Sequence, residues 1–169
     1  NGMDVKAMAA VHTALPISLV NTHSDRDHIS RNDQFAEFYM HPSEASLYYH
    51  SEFVAEHGAG EFLPVFDGDV IDLGGKNLEV YEMPGHTKGS IVLGDRADKI
   101  CFSGDSIIEN LWLFLEESES PETYLASLKH IREVLIEAGI EKIYDGHYSY
   151  EPIPVAMLDA MVEAMELIV

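Results

Sequence analysis

The chain has 169 residues, 46% of them hydrophobic, which is enough for one well-packed domain and short for two. Its 30 acidic residues against 10 basic ones give a formal net charge of -20, which repels a phosphate backbone and disfavours nucleic acid as a partner. No apolar run approaches the roughly 18 to 20 residues of a membrane span, no basic-then-apolar leader opens the sequence, and one cysteine cannot form an internal disulfide, so a soluble cytoplasmic protein is expected.

In chain order, residues 3–13 read as a short helix, with Asp4 near its start. The apolar run 15–20, rich in β-branched residues, reads as a buried strand that ends in Asn21-Thr22-His23-Ser24-Asp25-Arg26-Asp27-His28. Two imidazoles and two carboxylates within six positions suit a borderline metal such as zinc, iron or manganese. The same stretch also reads as a strand-to-helix turn whose Asp caps the helix and whose His residues are incidental.

Residues 35–41 contain a short aromatic strand, and Ser43 is placed to cap a helix over 44–56 that Gly58 and Gly60 end. From Glu61 the hydrophobic period is two, and Asp67-Gly68 and Gly74-Gly75 mark turns. Strands are predicted over 69–73, 77–83, 90–93 and 99–102, forming a β-meander. Cys101 falls inside the last of these as a small core residue. Residues 107–120 are the least regular stretch: Leu111-Trp112-Leu113-Phe114-Leu115 suits core packing, a dimer contact, or the lining or lid of a substrate pocket.

Ser120-Pro121-Glu122 then opens a helix as cap, first-turn proline and acid. Its buried stripe is Tyr124, Leu125, Leu128, Ile131, Val134 and Leu135, and Gly139 stops it. A strand over 140–144 and a final helix over 155–168 complete the chain as a single domain, 1–169. His12, His41, His50, His57 and His130 have no motif partners and read as structural.

One pattern recurs along this order: an apolar or aromatic run stops at a Gly-flanked His or Asp. It does so at Met83-Pro84-Gly85-His86-Thr87, at Phe102-Ser103-Gly104-Asp105 and at Tyr144-Asp145-Gly146-His147. With the first cluster these segments offer His23, Asp25, Asp27, His28, His86, Asp105 and His147, enough for two adjacent metals sharing a carboxylate.

In order and spacing the set resembles the metallo-β-lactamase-fold superfamily, whose pattern is His-x-His-x-Asp-His, then Gly-His-Thr, Gly-Asp and Gly-His. The resemblance spans nearly the whole chain and implies a mixed α/β αββα sandwich. It also implies two or three strands ahead of the first helix and one after the last helix, for which this sequence has no counterpart; the sequence is therefore expected to be a trimmed stretch, since the sheets would otherwise lack edge strands and expose backbone groups that need partners. It places His23, position 25 and His86 at a first metal and Asp27, His28 and His147 at a second, with Asp105 bridging. Here position 25 is Asp in place of the family's second His. That change makes the first site harder and moves preference toward iron or manganese, with zinc still the leading expectation for the two divalent ions.

The activity implied is metal-assisted hydrolysis of an ester, thioester, lactone or lactam-type bond in a small molecule. Water activated by the metals attacks the carbonyl, and Asp27 orients it or relays its proton. Two alternatives stand beside this. Flavo-diiron oxidoreductases share the fold with His-x-Glu-x-Asp-His, also have a carboxylate at the second place, and match the eighteen residues between His86 and Asp105; they normally carry a fused flavodoxin domain, which nothing in this chain resembles. The third possibility is a non-catalytic metal-binding module. A homodimer is also considered.

Overall fold

In the computed structural model of the chain, which describes residues 3–147 and 151–169, the polypeptide divides into two compact units, Asn1–Val65 and Phe66–Val169.

The first unit begins with helix α1, Val5–Ala10, whose N-cap Asp4 accepts a hydrogen bond from the Ala7 N–H. The apolar run that follows does not form the predicted strand. Only Val20 bridges, in parallel, to Tyr39, with Tyr39 N donating to Leu19 O and Asn21 N donating to Tyr39 O. Pro16 has no N–H to give a ladder, and Leu15 is exposed, so pairing is confined to the end of the run. Helix α2, Arg26–Ile29, is a single turn immediately downstream.

Strand β1, Glu37–Met40, realises the aromatic strand of the sequence, burying Phe38 and Met40 on one face. The helix predicted over 44–56 is two helices, α3, Ala45–His50, and α4, Glu52–His57. They separate at Ser51, which is extended (φ -67°, ψ 149°) and whose hydroxyl caps α4 by accepting from Val54 N while donating to Tyr48 O. A serine that bonds backbone on both sides competes with helix continuation, which the apolar spacing alone did not reveal. The capping position at the start of this region is His41, not Ser43: the His41 ring accepts from Ser43 N ahead of a 3-10 turn over Pro42–Glu44. Strand β2, Glu61–Pro64, lies parallel to β1 and is not part of the meander. Ile29, Phe38, Met40, Tyr48 and Phe53 form this unit's core.

The second unit is built on one six-stranded sheet in sequential order. Strands β3, Val70–Asp72, β4, Asn77–Glu82, β5, Ile91–Asp95, and β6, Ile100–Gly104, are the predicted antiparallel meander. Every residue of β5 is buried, as expected of a strand with both faces covered. The long helix α5, Pro121–Glu137, starts as predicted, with Ser120 accepting from Thr123 N. It ends at Gly139 (φ 73°), where Gly139 N donates to Ile136 O and Ile140 N to Leu135 O. This paired closure needs a left-handed residue, which glycine supplies without a Cβ clash.

Strand β7, Lys142–Asp145, runs parallel to β6, and β8, Ile153–Pro154, adds a short edge absent from the sequence reading. Helix α6, Met157–Glu166, closes the chain. Tyr124, Leu128, Ile131 and Leu135 of α5 pack with Leu158 and Met165 of α6 against Met83, Val92, Cys101 and Ile143 of the sheet side. Among the described residues no helix is long and apolar enough to cross a membrane.

Candidate metal centre

In the first unit the His-x-Asp-x-Asp-His cluster occupies the turn into α2. Asp25 sits at the N-cap position, yet its side chain makes no capping hydrogen bond, so helix capping does not account for the residue. His23 is buried, 1% exposed, with its Nδ1 3.1 Å from Thr22 Oγ1, and its Nε2 lies 3.7 Å from Asp25 Oδ2. The Nε2 of His28 lies 3.6 Å from Asp27 Oδ2. The two imidazoles are adjacent, with ring centroids 4.1 Å apart and planes tilted by 48°.

This loop is held from below by polar groups that carry no motif. Glu44, fully buried, accepts from both Ser24 N (2.8 Å) and Ser24 Oγ (2.7 Å), between His23 and Asp25. Asn21 Nδ2 donates to His28 O, and Asn32 Nδ2 donates to Asn21 Oδ1, so a buried amide pair fixes the far end of the cluster.

In the second unit three strands of the sheet each deliver a predicted residue just beyond their C-terminal ends: β4 leads to His86, β6 to Asp105 and β7 to His147. His86 is 2% exposed. Its Nδ1 bonds to Trp112 O at 3.0 Å, where only an N–H can donate, so the ring is held as the tautomer with the lone pair on Nε2. That Nε2 lies 3.9 Å from Asp105 Oδ2, and His147 Nε2 lies 3.0 Å from the same oxygen. One oxygen of Asp105 thus faces both histidines.

The backbone around this triad is tied together closely. Gly146 N donates to Gly104 O, joining the loops that carry His147 and Asp105, and His147 N donates to Asp145 Oδ1. Gly85 admits no side chain: a Cβ there would lie 2.4 Å from Tyr124 Cδ2. Glu119 N donates to Gly85 O and Ser118 Oγ to His86 O. The irregular stretch after Asp105 is therefore a clamp on the His86 loop, and residues alternate along it. Leu111 and Leu113 pack toward the core while Trp112 and Phe114 are exposed, their rings 5.3 Å apart. The sequence signal for this clamp was the alternation itself, which pocket, core and interface readings share.

The donor set fits a metal. Imidazole Nε2 and carboxylate oxygens bind zinc or iron at about 2.0 to 2.2 Å, so two ligands on one tetrahedral or octahedral ion stand about 3 to 3.7 Å apart. Three of the four His–Asp pairs fall in or at the edge of that range and the fourth, His86–Asp105, lies just beyond it; three of the four exceed 3.5 Å and are too long for an ordinary hydrogen bond. Of the remaining histidines, three are used locally, His41 as a cap and His50 and His57 against carbonyls one helical turn back, Ser46 O and Phe53 O.

The family model of the metallo-beta-lactamase superfamily matches residues 16–143. The chain is similar to the acyl-coenzyme A thioesterase MBLAC2 of Gallus gallus, 37% identical over 83 residues, which is 49% of this chain and 30% of that protein. It is also similar to a hydroxyacylglutathione hydrolase of Synechococcus, 26% identical over 118 residues, covering 70% of this chain and 45% of that one. The chain spans less than half the length of either relative. Among solved structures, TTHA1623 in a di-iron-bound form superposes with a TM-score of 0.73 at 21% identity, over 95% of this chain and 84% of the other. A metallo-beta-lactamase from Pontibacter korlensis superposes with a TM-score of 0.69 at 16% identity, over 96% and 76%.

Proposed function

Because the chain belongs to the metallo-β-lactamase superfamily, we propose that it is a metal-dependent hydrolase that cleaves a thioester or a related activated acyl bond in a small molecule. The observation that carries this reading is the placement of Asp105 Oδ2 within 3.0 Å of His147 Nε2 and 3.9 Å of His86 Nε2, on loops that the sheet and the 112–119 clamp hold in place. The acyl preference is supported by the similarity to an acyl-coenzyme A thioesterase and to a hydroxyacylglutathione hydrolase, both of which act on thioesters by name or by the chemistry of the named substrate.

By the family resemblance, His23, Asp25 and His86 would hold one divalent ion and Asp27, His28 and His147 a second, with Asp105 shared. Such ions would supply a water of lowered pKa and polarise the scissile carbonyl. The chain's own residues do the rest. Trp112 O, which can only accept, fixes the tautomer of His86 and leaves the lone pair on Nε2, while Thr22 Oγ1 orients the His23 ring through its Nδ1. Glu44 holds Ser24, and with it the spacing of His23 and Asp25. Asp27, the most exposed of the carboxylates in the cluster, would accept a hydrogen bond from the attacking water and take its proton. Asp25 adds charge to its site relative to a third histidine, which suits iron or manganese as well as zinc.

The test is metal analysis of the purified protein followed by a hydrolysis panel of acetyl-coenzyme A, S-lactoylglutathione, a γ-lactone and a β-lactam. Two ions per chain, thioester cleavage abolished by a chelator and restored by added metal are expected. Cleavage that survives complete metal removal would end the reading. Turnover of the lactam or lactone with neither thioester cleaved would change its substrate class.

A further inference from the structure

The second unit contains a cavity of about 760 Å³ that the ligand geometry does not use. Its wall is apolar, from Leu111 and Leu113 on the clamp, Ile153 on β8, and Met157, Met161 and Met165 on α6. Two stretches that frame it lead away from candidate metal ligands: Ile108 to Leu113 follows Asp105, and Asp145, which also lines the cavity, accepts the backbone N–H of His147. The three methionines are spaced four residues apart, so they share one face of α6. They are three of the seven methionines in the chain. An unbranched, polarisable side chain adapts to flexible apolar partners, and a row of them suits an occupant with no fixed shape.

We propose that this cavity receives the hydrocarbon chain of an acyl substrate. The inference rests on the thioester-hydrolase reading for the identity of the substrate, but the cavity itself is argued from its lining. Its volume lies within the roughly 300 to 1,000 Å³ of small-molecule sites. Glu109 and Asp145 in its lining disfavour an anionic occupant, and the apolar remainder of the wall favours an uncharged chain over a cation. A tail that starts at a carbonyl beside Asp105 and His147 has the apolar side chains of Ile108, Leu111 and Leu113 to follow on one side, with Glu109 and Asn110 between them. Each methylene that leaves water contributes up to about a fourfold gain in binding, so chain length becomes a specificity determinant.

The experiment uses the metal-loaded protein and 1-dodecanol, a neutral probe that cannot be hydrolysed. Dodecanol binding is followed by calorimetry and by the fluorescence of Trp112, the single tryptophan, whose neighbours Leu111 and Leu113 line the cavity. Two variants alter the lining in different ways: Ala164→Phe fills space from an exposed position, and Met161→Glu adds a charge. Both are first checked for folding by circular dichroism. Dodecanol is expected to bind the wild type and to bind each folded variant at least tenfold more weakly. The ratio of kcat/KM for dodecanoyl- over acetyl-coenzyme A is expected to fall at least tenfold in parallel. No dodecanol binding to the wild type, or equal binding to wild type and both variants, overturns the proposal. A dimer that dodecanol neither dissociates nor binds would mean that a second copy of the chain covers this face, and overturns it equally. Dodecanol binding with the expected variant losses but no cleavage of any thioester overturns the hydrolase reading and leaves the hydrocarbon site standing.

Discussion

Glu44 and Ser24 form a buried double contact in the first unit: one carboxylate oxygen accepts both the backbone N–H and the hydroxyl of the residue between His23 and Asp25. A carboxylate in that position is structural reinforcement for a coordinating loop. Glu44→Ala leaves a buried N–H and a buried hydroxyl without their acceptor, which costs about 1 to 3 kcal/mol. Urea unfolding is expected to register that loss. Metal titration is expected to register weaker binding beyond it, whereas Glu44→Asp, which keeps the acceptor, recovers part of the affinity. Unchanged metal affinity in a stably folded Glu44→Ala protein would mean that the loop holds its shape without Glu44.

Gly85 is required by the close approach of Tyr124 and not by an unusual φ. Gly85→Ala drives a methyl group into the ring, and overpacking of this kind costs about 1 to 3 kcal/mol. Because His86 is the next residue, the expected result is a lowered midpoint in urea together with reduced metal content. Adding Tyr124→Leu to the same protein should return much of the lost stability. A double variant no better than Gly85→Ala would show that the strain arises elsewhere.

The ligand assignment predicts an order of metal loss. Under that assignment Asp105, as the shared carboxylate, would offset the repulsion of two dications, while Asp25 would serve only one. Asp105→Ala should therefore retain less metal than Asp25→Ala after dialysis against a weak chelator. Equal retention, or a greater loss from Asp25→Ala, would put the bridge in the wrong place.

Asp25→His tests the hardness argument directly. The change restores a third histidine to the first site and should move the zinc-over-manganese ratio upward in an equal-competition assay. A ratio that does not move, with activity retained, removes Asp25 from the coordination sphere.

Cys101 supplies a pH signature unrelated to the metals. Burial pushes its thiol up to about 12, above the roughly 8.5 of an exposed thiol. The folded state therefore keeps a proton that the unfolded chain releases. The associated stability is fully present below about pH 8.5 and is lost as pH rises toward the folded value, at about 1.4 kcal/mol per pH unit. Replacing it by Ala removes this slope, so the stability gap between wild type and Cys101→Ala should narrow from pH 8.5 to 9.5. A thiol reagent at pH 8 should label the wild type only on unfolding; rapid labelling of the native protein would contradict the burial.

Local chemistry makes several elements legible in the sequence. Ser120-Pro121-Glu122 and Gly139 bound α5 because caps, proline and left-handed glycine act within a few residues of one another. The meander β3 to β6 was legible because Asp67-Gly68 and Gly74-Gly75 are turn signals and the alternation between them has period two. His86, Asp105 and His147 stand out for the same reason, each a Gly-flanked residue at the end of an apolar run. The failures are of a different kind. The run 15–20 has strand composition, but its pairing depends on a partner twenty residues away and on an N–H that Pro16 does not have. Ser51 splits a helix through two hydrogen bonds that no periodicity encodes.

What the sequence determined by itself was the identity and order of the candidate ligands and the superfamily to which they point, because residue type and spacing along the chain carry that chemistry. Tertiary structure alone decided what holds them. Glu44 is an ordinary acidic residue until Ser24 folds onto it, and Trp112 contributes a backbone carbonyl, which every residue has. Whether the 111–115 stretch is core, clamp or pocket wall depended on which way each side chain faced, and the answer divides it: Leu111 and Leu113 face the cavity and the core, while the carbonyl of Trp112 holds His86. Contacts between segments distant in sequence have no local signature, since any exposed or buried neighbour of suitable size could have made them.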